Sequence, residues 1–600
     1  MPGCRAPLAR RAVLGGLVCL AFALTWGLAR VTAVAAASKR GASRPATFCN
    51  PIDLDDRLGS TAPQPLEPSL PGAADPAILY FKGEYWLFTS ASGTYWRSPD
   101  FVAWRQVQAK GLPAVNGTPA LVVLNGRLHL LGNGAPGLYA TDDTGQGEWA
   151  LVADTAAYVD PALFLDDDGR LYLYYGSAEN GPISAVELDP TDRFKVVHGP
   201  VDCISGDAAR RGWEVYGEEN RGGPYRGRMR FDPWIDGAAM TKHAGRYYLQ
   251  YAAPASDSAT SASGVFVADG PLGPFAYAPY SPFAHKPAGF ISGTGHGRIF
   301  LDADGRPWYA ASVAVSLRDG SVRRLALFPA SFLADGQLVA DTYLGDYPQY
   351  VPGVATDPLG GNSPGWMLLS REKRAEASST RDGFPVENAF DENVRTQWSA
   401  ASGAAGEWLR VDFGKRCRID ALQISFADPD PIAERGSRGE TYQYSAETSD
   451  DAKKWNPLFD RRDDARSSPS DYVQLEQPVV RRYVRLINVH MPDGRRFAVS
   501  ELRVFGNGLG APPSQVRGVA AARDAADPRR VRISWAPAKG ASFHIVRYGV
   551  AADRLFNNRQ VYDANYLEIA SLNAGVPYFV GIDAVNDSGV TMAKSVVSVK

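Results

Sequence analysis

Several things are scarce in this sequence. Sixty-three basic and 65 acidic side chains among 600 residues leave a formal charge of -2. That is no electrostatic excess of the kind that gathers a polyanion, and nucleic-acid binding is excluded as a main role. Of the five cysteines, Cys4 and Cys19 lie near the start, leaving Cys49, Cys203 and Cys417. These are too few and odd in number for a disulfide scaffold; at most one intrachain pair can form, with Cys49–Cys203 as the candidate. Beyond the first thirty residues no apolar run is long enough to span a bilayer, which excludes a later membrane helix. What the chain has in plenty is punctuation: 60 glycines and 43 prolines, with 45% apolar residues. That mixture suits many short strands and tight turns, an all-β class, and the length predicts roughly three to five compact units.

The beginning reads as targeting. Arg5, Arg10 and Arg11 precede an uncharged run from Ala12 to Ala29, and small residues from Ala33 to Ala37 offer an A-x-A cleavage site. Residues 1–37 are expected to be a signal peptide and 38–48 a linker, with an uncleaved anchor as the rival reading. The adjacent Arg10 and Arg11 suggest twin-arginine export, so the expected location is secreted or periplasmic.

A glycine-centred pattern then recurs: apolar run, polar turn, Gly, aromatic-rich strand. Its copies run from Ala77 to Phe88, Ala120 to Leu131, Ala162 to Tyr174, Ala238 to Tyr251 and Gly297 to Ala311. Lys-Gly, Asn-Gly and Asp-Gly between such runs are hairpin signals, because the turn needs a positive φ that glycine adopts without a Cβ clash. The turn glycines Gly83, Gly126, Gly169, Gly245 and Gly305 are 43, 43, 76 and 60 residues apart. That spacing fits four-stranded blades with two insertions, and five blades closing on themselves predict a β-propeller over 49–350.

The residue opening each repeat, eight or nine positions before its glycine, is Asp75, Thr118, Asp160, Asp236 or His296. Three of them share the word Asp75-Pro-Ala, Thr118-Pro-Ala and Asp160-Pro-Ala. Equivalent strand starts in a closed ring lie at one mouth of the central channel, so three carboxylates, a hydroxyl and an imidazole are expected around one site. Any one Asp-Pro alone is an ordinary turn opener; the shared register is what points to chemistry. Inverting hydrolysis of a glycosidic bond needs one carboxylate to deprotonate water and one carboxylic acid to protonate the leaving oxygen, about 6.5 to 9.5 Å apart. A third carboxylate nearby disfavours ionisation of the acid and keeps it protonated.

These residues resemble glycoside hydrolase family 43, five-bladed propeller enzymes acting on β-xylosides, α-L-arabinofuranosides and some galactosides. The resemblance rests on Cys49-Asn-Pro-Ile-Asp, Ala74-Asp-Pro-Ala-Ile, Tyr95-Trp-Arg-Ser-Pro-Asp, Asp160-Pro-Ala-Leu-Phe, Trp234-Ile-Asp-Gly, Gly293-Thr-Gly-His-Gly and Arg323-Arg-Leu-Ala-Leu-Phe-Pro-Ala. It implies Asp75 as general base, Asp236 as general acid, Asp160 as pKa modulator, and His296 as an axial histidine at a calcium or water cluster. One departure stands out: the family's acid is usually Glu, one methylene longer than Asp236. Either the site has moved to suit Asp236, or Glu214 or Glu218 serves instead, or catalysis is impaired. Tyr95, Trp96, Trp213 and Trp308 are candidate sugar-stacking residues. Arg323 and Arg324 are candidates to hold a sugar hydroxyl or orient Asp160, with Arg324 and His296 counted among the substrate-binding residues. The stretch from Gly206 to Arg230 interrupts the repeat and is expected to be a loop near the mouth.

The second half reads as attachment. Proline- and glycine-rich stretches mark linkers at 351–365 and 507–513. Between them, residues 366–506 resemble the discoidin, or coagulation factor 5/8 type C, jelly-roll module through Asn388-Ala-Phe-Asp-Glu-Asn, Thr396-Gln-Trp-Ser, Gly406-Glu-Trp-Leu-Arg-Val-Asp-Phe-Gly and Ser500-Glu-Leu-Arg-Val-Phe-Gly. The resemblance implies glycan binding and a structural calcium held by Asp391, Thr396 and Glu501. Residues 514–600, with Val531-Arg-Ile-Ser-Trp535 and Pro577-Tyr-Phe-Val-Gly-Ile, resemble an Ig-like fibronectin type III sandwich and are given no catalytic role. The expectation is an exported inverting glycosidase acting on polysaccharide or oligosaccharide. It needs no cofactor for its chemistry and has no nucleic-acid or membrane partner once the signal is cleaved. The alternative is a catalytically impaired carbohydrate-binding protein or adhesin.

Overall fold

The structure, a computed structural model, describes residues 44–600 except 53, 55–73, 91–92, 113–116, 134–136, 143–146, 178–181, 256–257, 315–322, 355–358, 428–440 and 467. The expected signal peptide at 1–37 lies outside the described residues. Among the described residues no helix is long and apolar enough to cross a membrane.

Five four-stranded antiparallel sheets follow one another as blades I to V. Blade I runs Ala77–Phe81, Glu84–Phe88, Thr94–Ser98 and Arg105–Gln108. Blade II runs Pro119–Leu124, Arg127–Gly132, Leu138–Thr141 and Ala150–Ala153. Blade III is Ala162–Leu165, Leu171–Tyr175, Ile183–Asp189 and Lys195–Ile204. Blade IV is Asp236–His243, Arg246–Ala253, Ala262–Ala268 and Ala276–Tyr277, and Ala284–His285 also pairs with its third strand. Blade V is Arg298–Leu301, Pro307–Ala314, Arg323–Phe332 and Leu338–Ala340. The first strand of each blade neighbours the first strand of the next, and that of blade V neighbours that of blade I, so the ring is closed.

The five turn glycines have φ between +74° and +84°, and a Cβ built on any of them meets nothing within 4 Å. The backbone angle, not crowding, makes them glycine. Closure is tied from outside the repeats. Thr47–Phe48 pairs with Gln349–Tyr350, while the Asn50 side chain donates to the carbonyls of Leu327 (2.8 Å) and Gly345 (2.7 Å) and accepts from the Leu327 amide (3.0 Å). The Cys49-Asn-Pro word is therefore a clasp across the ring.

Residues 366–507 fold into a sheet whose strands Trp408–Phe426 and Ser470–His490 bend at register shifts, wrapping it around a core of Trp398, Leu409, Ile424, Tyr444, Leu486 and Val504. The last part is a sandwich. A three-stranded sheet, Arg517–Arg523, Val531–Ala536 and Tyr566–Ile569, shares one core with the sheet built on Phe543–Gly549 and Phe579–Asn586, and Trp535, Tyr548 and Tyr578 fill it.

The stretches read as linkers each carry a backbone bond to a neighbouring segment, Tyr350 N–H donating to Asn362 O (2.7 Å) and Gly508 N–H to Asp587 O (2.6 Å). One expectation is corrected here. Cys49 and Cys203 do not pair. All three described cysteines are free, with Cys49 packed at the junction with the second domain and Cys203 on the outer strand of blade III.

Candidate active site

The five residues that open the repeats do converge. Asp75, Asp160, Asp236 and His296 retain 5–8% of their surface, and Thr118 1%. Asp75, Asp160 and His296 adopt φ of +50°, +48° and +51°, the left-handed region that Asp and His tolerate better than most side chains. Three equivalent strand starts thus hold the same strained turn, and such strain persists where the surrounding fold over-determines it. In blade IV the positive φ moves one place on, to Gly237, where a Cβ would lie 2.9 Å from the His296 ring.

Thr118 ties two neighbours together, its Oγ1 donating to Asp160 Oδ1 (2.9 Å) and lying 2.9 Å from His296 Nε2. The other ring nitrogen, Nδ1, faces the remaining carboxylates, 3.4 Å from Asp75 Oδ1 and 4.0 Å from Asp236 Oδ1. Those two oxygens are no farther apart than these lengths laid end to end, a bound that admits both the inverting gap of about 6.5–9.5 Å and the shorter retaining one of about 5–5.5 Å. Asp160 is oriented from blade II, its amide donating to Asn133 Oδ1 (3.0 Å).

Asp75 and Asp236 have opposite electrostatics. Burial alone would raise Asp75, but the Arg323 guanidinium outweighs it, with help from His296, and holds the carboxyl below the ordinary range. Arg323 donates Nη1 to Oδ1 (2.6 Å) and Nη2 to Oδ2 (3.3 Å), and the Asp75 amide donates to Ser312 Oγ (2.7 Å). Arg298, half-buried and close to the same carboxylate, is itself pulled down to about 10 by burial. Asp236 has no cation of its own. Burial, reinforced by the charges of Asp160 and Asp75 against the opposing His296, pushes it up to about 7. Its Oδ2 accepts from Trp234 Nε1 (3.1 Å), while Oδ1 is buried with no hydrogen-bond partner. Asp160, Asp236 and His296 each offer a ligand atom within 4.8 Å of the others, a spacing that could hold a cation.

Residues 66–338 match the family model described as Glycosyl hydrolases family 43, and residues 374–502 match that of the F5/8 type C domain. The propeller is thus similar to family 43 over those residues. Among solved structures the chain resembles a thermostable family-43 glycoside hydrolase, with 22% identity, 53% of this chain and 99% of that one covered, and a TM-score of 0.38. It also resembles xylan beta-1,4-xylosidase from Bacillus halodurans C-125, with 13% identity, 77% and 100% covered, and a TM-score of 0.38. A third is endo-1,4-beta-xylanase from Bacteroides thetaiotaomicron, with 19% identity, 45% and 94% covered, and a TM-score of 0.38. At such identities and scores these likenesses say nothing of activity. No curated protein matches the chain.

Other expected site residues lie elsewhere. Tyr95 is 1% exposed and stacks between Trp86 (5.2 Å) and Phe88 (4.7 Å). Trp96 packs among Phe48, Leu87 and Phe101. Trp213 is fully buried, its Nε1 donating to Tyr277 Oη (3.0 Å), and Trp308 Nε1 donates to Asp302 (3.2 Å). All four are packing groups, not sugar platforms, because the apolar face a sugar would need is already covered. Arg324 follows Arg323 on the same strand, so its side chain leaves from the opposite face of the sheet; Arg323 is the arginine at the site, and it holds Asp75, not Asp160. Glu214 cannot replace Asp236 as acid. It is 0% exposed, bonded to Tyr251 Oη, Arg211 (3.0 Å) and the Asp207 amide (2.6 Å). Glu218 caps the Ala259 amide. The sequence reading missed Ser312, Asn133 and Arg298. Trp234 was visible in its motif but was not given a role.

In the second domain Asp391 accepts from Thr396 Oγ1 (2.7 Å) and the Asn393 amide (2.9 Å), and Glu501 Oε2 accepts from the Glu392 amide (3.1 Å). Glu501 Oε1 is buried with no hydrogen-bond partner, and burial with the neighbouring charges of Glu392 and Asp391 pushes its carboxyl well up. An oxygen-rich cluster with an orphaned carboxylate oxygen fits a hard cation.

Proposed function

We propose that the protein is an exported glycoside hydrolase that removes terminal sugars of xylose, arabinofuranose or galactose type from polysaccharides or oligosaccharides with inversion. The observation that carries the reading is the divergence of two carboxyls around His296, Asp75 held ionised and Asp236 held protonated up to about pH 7. Asp75 takes a proton from water, whose oxygen attacks the anomeric carbon. The bond from that carbon to the glycosidic oxygen breaks, and Asp236 supplies the proton the departing oxygen needs. The charge of Asp160 keeps Asp236 protonated until then. The second domain binds glycan, with calcium held by Asp391, Thr396 and Glu501 acting on its stability and supplying no step of the reaction. The C-terminal sandwich is read as a fibronectin type III module.

The alternative, a carbohydrate-binding protein or adhesin, draws on the acid being Asp236 where the family usually has Glu. A panel of nitrophenyl xylosides, arabinofuranosides and galactosides with product NMR decides between them and reports the anomer formed. Turnover abolished by Asp75→Asn, with inverted product, is expected, while Asp236→Asn is expected to lose turnover of oligosaccharides and to spare the nitrophenyl substrates, whose leaving groups need no proton. Glycan binding without turnover on any substrate would establish the binding protein, and retained configuration would overturn the inverting step.

A further inference from the structure

The segment that interrupts the repeat between blades III and IV, residues 206–234, has two ends with different attachments. Its first half is sewn onto the C-terminal sandwich. Gly212 N–H donates to Leu572 O (3.0 Å), and Ala574 N–H donates to Arg210 O (2.7 Å). Arg529 Nη1 donates to Ala208 O (2.6 Å). Arg559, from the same sandwich, grips Glu219 with two parallel bonds of 2.6 Å each, the fork-on-carboxylate geometry that fixes orientation as well as distance. Glu219 and Asn220 sit at φ of +56° and +54°, and Asn220 Nδ2 donates to the carbonyls of Trp213 (2.8 Å) and Val215 (3.3 Å). The turn is held in a conformation the chain alone would not favour.

The second half faces the acid. Val215 pairs with Pro233, which brings Tyr216 alongside Trp234. Tyr216, Tyr225 and Trp234 form a group of half-buried rings, with centroids 5.8 Å (Tyr216–Tyr225), 6.3 Å (Tyr216–Trp234) and 5.5 Å (Tyr225–Trp234) apart. The Arg230 guanidinium lies 5.0 Å from the Trp234 ring. Trp234 in turn donates to Asp236. These rings, unlike the blade aromatics, are only partly covered, Arg230 also lying 5.5 Å from Tyr216 and 5.3 Å from Tyr225, and Phe231 at 56% exposure extends the apolar surface.

We propose that Tyr216, Tyr225 and Trp234 form a subsite for the apolar face of a neutral sugar ring beside Asp236, and that the C-terminal sandwich, through Arg559, is the positioning element that holds this subsite against the acid. The proposal rests on the glycosidase reading for its ligand, while the positioning half stands on geometry alone.

Two readouts on the full chain separate them: equilibrium binding of xylotetraose followed by tryptophan fluorescence, and the rate of trypsin cleavage after Arg226 and Arg228 in the segment. Tyr225→Ala is expected to weaken binding roughly 3- to 10-fold with cleavage unchanged. Arg559→Ala and Glu219→Gln are expected to weaken binding by a similar factor and to speed cleavage several-fold, with the melting temperature of the propeller retained. The exchanged pair Arg559→Glu with Glu219→Arg is expected to recover both. Binding unchanged in Tyr225→Ala overturns the subsite. Cleavage unchanged in Arg559→Ala, or no recovery in the exchanged pair when it melts like wild type, overturns the positioning role. A wild type that neither binds xylotetraose nor hydrolyses the nitrophenyl panel overturns both the glycosidase reading and the subsite, and cleavage still decides the positioning role.

Discussion

Two buried ionic clusters in this molecule are built on opposite rules. At the junction of propeller and second domain, Arg503 is wholly buried and donates Nε and Nη2 to the two oxygens of Glu392 (2.8 and 2.9 Å). Lys286 faces Asp346 at 3.3 Å, and Gln560 of the third domain donates to the same Asp346 (2.9 Å). Each of these charges has a partner of opposite sign. At the propeller axis three carboxylates share one paired arginine, and Asp236 is left with an orphaned oxygen. Burying a charge is costly unless it is paired, so the first cluster can hold its charges against one another while Asp236, with no such partner, is pushed toward its protonated form. Pairing makes a joint; its deliberate omission makes an acid. Glu501, beside the joint, also has an unpartnered oxygen, and that is where a cation is expected.

This contrast can be broken by exchange of roles. Asp75→Asn and Asp236→Asn are expected to lower kcat by about 10²- to 10⁴-fold, and Asp236→Asn is expected to spare nitrophenyl substrates, whose leaving groups need no proton. Arg503→Met is expected to do the reverse. Leaving Glu392 without its arginine costs about 3–5 kcal/mol of stability by denaturant melts, while kcat of the folded fraction stays the same.

A pH titration sharpens the difference. Because Asp236 rises from 3.8 to about 7 on folding, kcat/KM is expected to fall as pH rises through about 7, and the acid limb should lie below the ordinary carboxylate pKa because Asp75 is lowered. The same rise means Asp236 favours the fold in acid and loses that contribution as pH climbs through about 7. Asp236→Asn should therefore gain stability relative to wild type above that pH.

Smaller effects are expected from Thr118→Val, which removes the hydroxyl joining Asp160 and His296 at a cost of about 1–3 kcal/mol in transition-state stabilisation, read from kcat/KM. Calcium chelation should lower the stability of the second domain alone, by about 2.7 kcal/mol if the ion is normally present at a hundred times its dissociation constant. Glu501→Gln should abolish that response.

The fold and the axial cluster were legible because both are written in local repetition. Each hairpin needs a glycine at positive φ, and Asp75, Thr118, Asp160, Asp236 and His296 stand eight or nine residues before those glycines, so register alone predicts their meeting. The aromatics were misjudged for the complementary reason. Tyr95 and Trp213 resemble Tyr216 and Trp234 in composition and neighbourhood, and only the packing of Trp86, Phe88 and Tyr251 around them tells which rings are covered. Arg323 and Arg324 are adjacent in the chain, and strand alternation alone does not say which face meets the axis.

What the sequence determined by itself is whatever depends on short-range geometry: the hairpins, their number, the order of domains and the equivalence of five strand starts. The tertiary structure decided which charges are paired, that Asp236 has no cation of its own, and that the C-terminal sandwich grips the segment beside the acid. Those outcomes depend on side chains hundreds of residues apart. A chain's periodicity specifies its repeating units, but the desolvation and pairing of a buried charge are set by neighbours from other units.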